Sequence, residues 1–149
     1  MAAGAEGATL SLVVRRTVRA SAERLFAAWT DPAELVRWWG PSGVRCTGAE
    51  IDLREGGGYR IGNRFEDGRE IWIVGVFERI EAPRRLVFTW RLEPGTDHAE
   101  RVTVRFEPSG DATEIVVVHE RIATEEARAS HEAGWRGCLD GLARHAEGA

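Results

Sequence analysis

Along the first part of the chain, Leu10, Leu12, Val14, Arg16 and Val18 fall in one phase and Ser11, Val13, Arg15 and Thr17 in the other, the two-residue period of a strand. Ser21 then opens a short helix with Leu25, Phe26 and Trp29 on one face. A second helix follows at once. Asp31 is a good N-cap, Pro32 suits the first helical position, and Glu34 stands three residues after the cap. Its buried stripe is Leu35, Trp38 and Trp39, and Gly40-Pro41-Ser42-Gly43 stops it.

From Val44 to Glu120 the pattern is one of successive strands: Val44–Leu53, Tyr59–Phe65, Arg69–Ile80, Leu86–Leu92, Ala99–Glu107 and Thr113–Glu120. The turns between them carry Gly, Pro, Asp and Glu, with Glu66-Asp67-Gly68 as a hairpin signal. No helical spacing separates these strands, so neighbours are expected to pair antiparallel. A long helix from Thr124 to His145 follows, and His131, Trp135, Cys138, Leu139 and Leu142 share its buried face. Glu125 and Glu126 begin it and Arg144 and His145 end it, as the helix dipole favours. The expected fold is α+β: a curved seven-stranded antiparallel sheet wrapped around a long C-terminal helix, a helix grip, with two short helices after the first strand. Such a layout leaves room for a hollow between sheet and helix.

Composition narrows the function. Of 149 residues, 43% are hydrophobic and 30% charged, an ordinary globular balance, and one domain over 9–147 behind a disordered tail at 1–8 is expected. All 20 basic residues are arginine. Without lysine there is no Schiff-base chemistry and no Walker-type phosphate loop. The net charge of −4 and the lack of a basic block argue against nucleic acid. The longest apolar run, Ile71 to Phe77, is far short of the ~20 residues of a membrane span. Neither a signal peptide nor a disulfide framework is expected, and the reading is of a soluble, cytoplasmic protein without a cofactor.

Several stretches, taken in order, resemble the START/Bet v1-like (SRPBCC) superfamily, and within it the AHSA1-like branch named for a homologue of the Hsp90 ATPase activator. They are Arg16 to Ser21, Trp29-Thr30-Asp31-Pro32, Trp38-Trp39-Gly40-Pro41, Asp52 to Gly57, Gly75-Val76-Phe77-Glu78, Leu86 to Trp90, Thr113 to His119, and Gly134-Trp135 with Leu139 and Leu142. Ser21 and Glu55 stand where family members usually carry proline. The resemblance implies the same helix-grip fold. It also implies either a hydrophobic ligand, since related proteins hold lipids, hormones or polyketide-like compounds, or a chaperone partner. Eukaryotic co-chaperones of this kind carry an additional amino-terminal domain, for which this chain has no room.

Six tryptophans is a heavy allotment. Trp29 and Trp38 read as core fillers, whereas Trp39, Trp90 and Trp135 suit the wall of a small-molecule pocket. Phe88 shares a strand face with Trp90, and Phe77 with Ile73. The pocket set expected is therefore Trp39, Tyr59, Phe77, Phe88, Trp90, His119, His131, Trp135 and Cys138, with His119, Tyr59 or an arginine orienting a polar end of the ligand. His119, in phase with Ile115 and Val117, is read as structural first, ligand-contacting second and catalytic third. A cyclase- or hydrolase-like enzyme would need it beside a carboxylate, for which Asp52, Glu50 and Glu120 are the options. Arg16, in phase with the core, needs a partner from the same three acids. Asp52 and Arg54 suit each other across one strand face.

His131 and Cys138 lie seven residues apart on a helix, about 10.5 Å, too far to bond directly, and no metal-ligand spacing is present. Gly56-Gly57-Gly58 lies between two strands, so a bend and not a phosphate cradle is expected. Ile71 to Phe77 is apolar on both faces, which makes a homodimer contact one way of covering the second face.

Overall fold

The computed structural model of the chain describes residues 9–41, 43–95 and 97–148, so the tail expected at 1–8 lies outside the described residues. The elements run β1 (Leu10–Val18), α1 (Ala22–Thr30), α2 (Pro32–Trp38), β2 (Val44–Ile51), β3 (Gly58–Phe65), β4 (Glu70–Glu81), β5 (Arg85–Glu93), β6 (Glu100–Ser109), β7 (Ala112–Ile122) and α3 (Glu125–Glu147). The seven strands form one sheet in the order β1-β7-β6-β5-β4-β3-β2, with every pair antiparallel. The sheet curls around α3, and α1 and α2 pack against its helix-covered side. This is the helix-grip architecture. No described helix is long and apolar enough to cross a membrane.

Each helix starts where the cap residues dictate. Ser21 Oγ accepts from the Arg24 N–H at 3.0 Å, the Asp31 carboxylate from Ala33 at 3.0 Å, and Thr124 Oγ1 from Ala127 at 3.1 Å. The reciprocal half of a capping box at Glu34 is not made, because the Asp31 N–H already closes α1 on the Ala27 carbonyl. Glu34 instead accepts from Arg24 and His145, both at 2.8 Å, tying α1, α2 and the end of α3 together.

β2 ends at Ile51, two residues earlier than alternation predicts. There Asp52 and Arg54 enter the turn that Gly56 completes at φ +87°, and Arg54 Nε donates to Asp52 at 3.0 Å. The glycine run therefore serves a bend, as expected. Arg16 departs from its strand phase: its side chain is 42% exposed and its carboxylate partner is Asp140 of α3 at 3.4 Å. None of Glu50, Asp52 and Glu120 takes that role. A long guanidinium at the sheet edge reaches water and the flank of the helix instead of entering the core.

One close approach shapes the middle of the sheet. Tyr59 and Gly75 are paired across β3 and β4, and the Tyr59 hydroxyl passes Gly75 to donate to the Thr89 carbonyl of β5 at 2.6 Å. The Thr89 hydroxyl in turn accepts from the Val76 N–H at 2.9 Å. Side chains thus satisfy backbone groups where β4 and β5 separate. The apolar strip on β4 is partly covered from within the chain. Val74 is buried, and the Arg60 guanidinium lies 4.4 Å over the Trp72 ring, although Val76 stays 42% exposed.

Candidate functional site

The inner face of the sheet carries Ile61, Ile73, Phe77, Phe88 and Trp90, all buried. Between this face and α3 lies a cavity of about 330 Å³. Trp39 at the end of α2, Trp90 of β5 and Trp135 of α3 wall it, with His131, Gly134 and Cys138 along the helix side. The indoles are in mutual contact: ring centroids of Trp39 and Trp135 are 5.6 Å apart, and those of Trp90 and Trp135 5.3 Å. A narrow crevice of only about 20 Å³ continues inward between Trp39, Trp90, Tyr59, Phe77 and Phe88. Trp29 also borders this crevice while packing in the core, and Trp38 spends its indole N–H on the Ala28 carbonyl at 3.0 Å.

The sequence-predicted residues therefore divide into three groups. Trp39, Trp90, His131, Trp135 and Cys138 line the main cavity; Tyr59, Phe77 and Phe88 line the crevice; His119 lies behind the wall, fully buried. Burial pushes the Tyr59 phenol well above its ordinary value and the Cys138 thiol up to about 12, so both stay protonated at neutral pH.

His119 sits at the centre of a buried polar cluster. An indole N–H can only donate, and that of Trp135 meets His119 Nδ1 at 3.0 Å, so Nδ1 carries a lone pair. The proton of the neutral ring is then on Nε2, which donates to Glu100 Oε1 at 2.7 Å. His131 stacks on His119, with centroids 4.6 Å apart and planes 12° from parallel, and its Nε2 is 3.1 Å from the same Glu100 oxygen. Burial alone would raise the Glu100 carboxyl, but the hydrogen bonds from His119 and His131 outweigh it and hold the group at about 2. For His119 burial dominates and lowers the basicity of the ring, against the pull of Glu100.

The partner of His119 is thus Glu100, not Asp52, Glu50 or Glu120. Asp52 and Glu50 line a groove on the opposite, outer face of the sheet. Glu100 is in strand phase with Val102, Val104 and Phe106, all fully buried, and that alternation was the signal available for finding it.

Both cluster groups bind protons more readily when unfolded, so stability is expected to fall with pH in two windows. The His119 contribution is complete above the ordinary imidazole value of 6.5 and is lost as pH drops below it. The Glu100 contribution is complete above 4.5 and is lost between there and about 2. Urea midpoints measured from pH 8 to pH 4 check this; a midpoint constant between about pH 7 and pH 5 would contradict the first window.

Glu100, His119 and His131 also bring three potential metal-ligand atoms within 4.8 Å of one another. The hydrogen bonding opposes coordination. A ligating histidine donates its other ring N–H to an acceptor, whereas here the second nitrogen of His119 faces a donor, Trp135. Metal at Nε2 would set two N–H groups against each other. The cluster is better suited to fastening α3 to β6 and β7.

A more open groove of about 640 Å³ crosses the outer face, edged by Glu50, Asp52, Arg60, Arg91 and Glu93. Tyr59 is the aromatic side chain in its lining, and the groove lacks the three-indole wall of the inner cavity, which is therefore the candidate site.

Comparison with known proteins agrees with this architecture. Residues 19–147 match the family model described as Activator of Hsp90 ATPase homolog 1-like protein, AHSA1. The chain belongs to the AHSA1 family. Among solved structures similar to this AHSA1 chain is a protein from Chromobacterium violaceum, 25% identical, covering 92% of this chain and 96% of the other with a TM-score of 0.84. An AHSA1-like protein from Aeromonas hydrophila is 28% identical over 93% of both chains, with a TM-score of 0.79. An AHSA1 protein from Silicibacter pomeroyi is 26% identical over 90% of this chain and 95% of the other, also with a TM-score of 0.79. No curated protein matches the chain. The AHSA1 assignment supports a ligand-binding or Hsp90-ATPase-activator-like family and names no ligand.

Proposed function

We propose that this AHSA1 chain binds a flat, largely apolar small molecule in the cavity between the sheet and α3. The observation that carries the reading is the cavity of about 330 Å³ with three indoles in its wall, at the lower end of the range for small-molecule pockets. Binding is driven by removing apolar ligand surface from water, at about 25 cal/mol per Å². The Trp90 indole N–H adds support, being buried in the wall without an acceptor among the described residues.

Gly134 offers a clean test. It lines the cavity, and a Cβ there meets nothing within 4 Å. Gly134→Leu should fill the space without disturbing the fold, and leucine is the better helix former by roughly 1 kcal/mol. Saturable quenching of tryptophan emission by naphthalene-type or lipid-like probes is expected in the parent chain and not in Gly134→Leu. Failure of every probe class to give a saturable change would overturn the proposal.

The family description supports a second reading, regulation of an Hsp90-type ATPase by protein contact. Its test is the chaperone's ATPase rate with and without this chain. A rate unchanged at excess protein would remove it.

A further inference from the structure

The cavity reading leaves open what fixes the orientation of a ligand, and an account of the polar groups around the cavity narrows the answer to one donor, the Trp90 indole N–H, and one acceptor. Asn63 is saturated: its carbonyl oxygen accepts from Trp39 Nε1 at 2.9 Å, and its amide donates to the carbonyls of Ile61 and Ile71. Arg69 is paired with Asp67 at 2.9 Å and lies over the Phe65 ring. The Cys138 thiol, kept protonated by burial, accepts from the backbone N–H of Gly40 and offers only a weak S–H donor. Ser130 is exposed at the rim. Of the groups expected to orient a ligand, Tyr59 and His119 are also occupied, since the Tyr59 hydroxyl holds Thr89 and both His119 nitrogens are engaged.

His131 remains as the acceptor. Its side chain is 16% exposed and stands in the cavity wall. Nε2 is the nitrogen beside Glu100, and an ionised carboxylate can only accept, so Nε2 carries the proton. Nδ1 is then a lone-pair acceptor, and it makes no hydrogen bond among the described residues. The carboxylate behind the ring repels a second negative charge.

We propose that the cavity selects an uncharged aromatic alcohol, a phenol- or naphthol-like ring whose O–H donates to His131 Nδ1 while the indoles of Trp39, Trp90 and Trp135 enclose the ring. The inference rests on the cavity reading and specifies its ligand class. Glu100 orients the imidazole from the side away from the ligand. His119, locked in one tautomer by Trp135, supports the His131 ring from below by stacking.

Three probes of one ring size test it: 2-naphthol, 2-methylnaphthalene and 2-naphthoate. In the parent chain 2-naphthol should bind about five- to tenfold more tightly than 2-methylnaphthalene, the usual worth of one hydrogen bond, and 2-naphthoate most weakly. His131→Phe keeps a stacking ring without the acceptor, and in it the naphthol preference should vanish while 2-methylnaphthalene still binds. A second readout needs no variant. Excited 2-naphthol gives up its proton to a base in contact, so naphthol bound to the parent chain should show naphtholate emission when excited beyond the tryptophan band.

Equal affinity for naphthol and methylnaphthalene in the parent chain overturns this inference and leaves the cavity reading intact. A preference that survives in His131→Phe, or bound naphthol without naphtholate emission, does the same. If none of the three probes binds, the cavity reading falls and this inference falls with it.

Discussion

Glu100→Ala should destabilise the fold by about 3 kcal/mol, the scale expected when a buried hydrogen-bonded acceptor is removed from beneath its donors. One carboxylate oxygen receives Nε2 of His119 at 2.7 Å and stands 3.1 Å from that of His131, and its loss leaves the fully buried His119 ring without the partner of its proton. The damage should spread along the chain of contacts, because the other nitrogen of His119 holds Trp135 and hence α3. Urea denaturation at neutral pH measures the effect. Glu100→Gln retains an acceptor oxygen and should lose clearly less, together with the low-pH window assigned to the carboxylate. A cost below about 1 kcal/mol for Glu100→Ala would show that the cluster does not anchor the helix.

Gly75→Ala should be more damaging, by roughly 4 kcal/mol or more, in the range reserved for forced overlap in a packed interior. A Cβ at this position would collide with the Thr89 carbonyl oxygen and come within 2.7 Å of the Tyr59 ring, so no flexible side-chain end can simply move aside. The substitution would break the hydroxyl–carbonyl bond that joins β3 to β5 across β4. Gly134→Ala is the matched control, since its Cβ enters open space, and it should stabilise α3 by up to about 1 kcal/mol. Thermal or urea unfolding compares the two. A Gly75→Ala protein within about 1 kcal/mol of the parent would mean that the sheet yields there at little cost.

Local chemistry made much of this architecture legible in the chain itself. Ser21, Asp31 and Thr124 act on neighbours two or three residues away, so the helix starts could be read directly. Alternation placed Phe77, Phe88 and Trp90 on the inner face because one side of each strand is buried. Partners distant in sequence were harder to reach. Arg16 finds Asp140, and Glu34 finds His145, only once α3 has docked. The carboxylate of the histidine cluster was misassigned for the same reason, since strand phase marks Glu100 as inward-facing but cannot say which helix residue it meets. Which polar groups in the cavity wall are already saturated, the observation behind the proposed ligand class, depends wholly on such contacts.

The order of elements has a consequence for synthesis. α3 follows in sequence every strand that it covers. While the chain is still emerging from the ribosome, the inner face around Trp90 and His119 stands without its helix cover until residues 125–147 arrive to close it. Premature termination before that point would leave a sticky, half-finished sheet, and quality-control proteases would meet a substrate quite unlike the finished molecule.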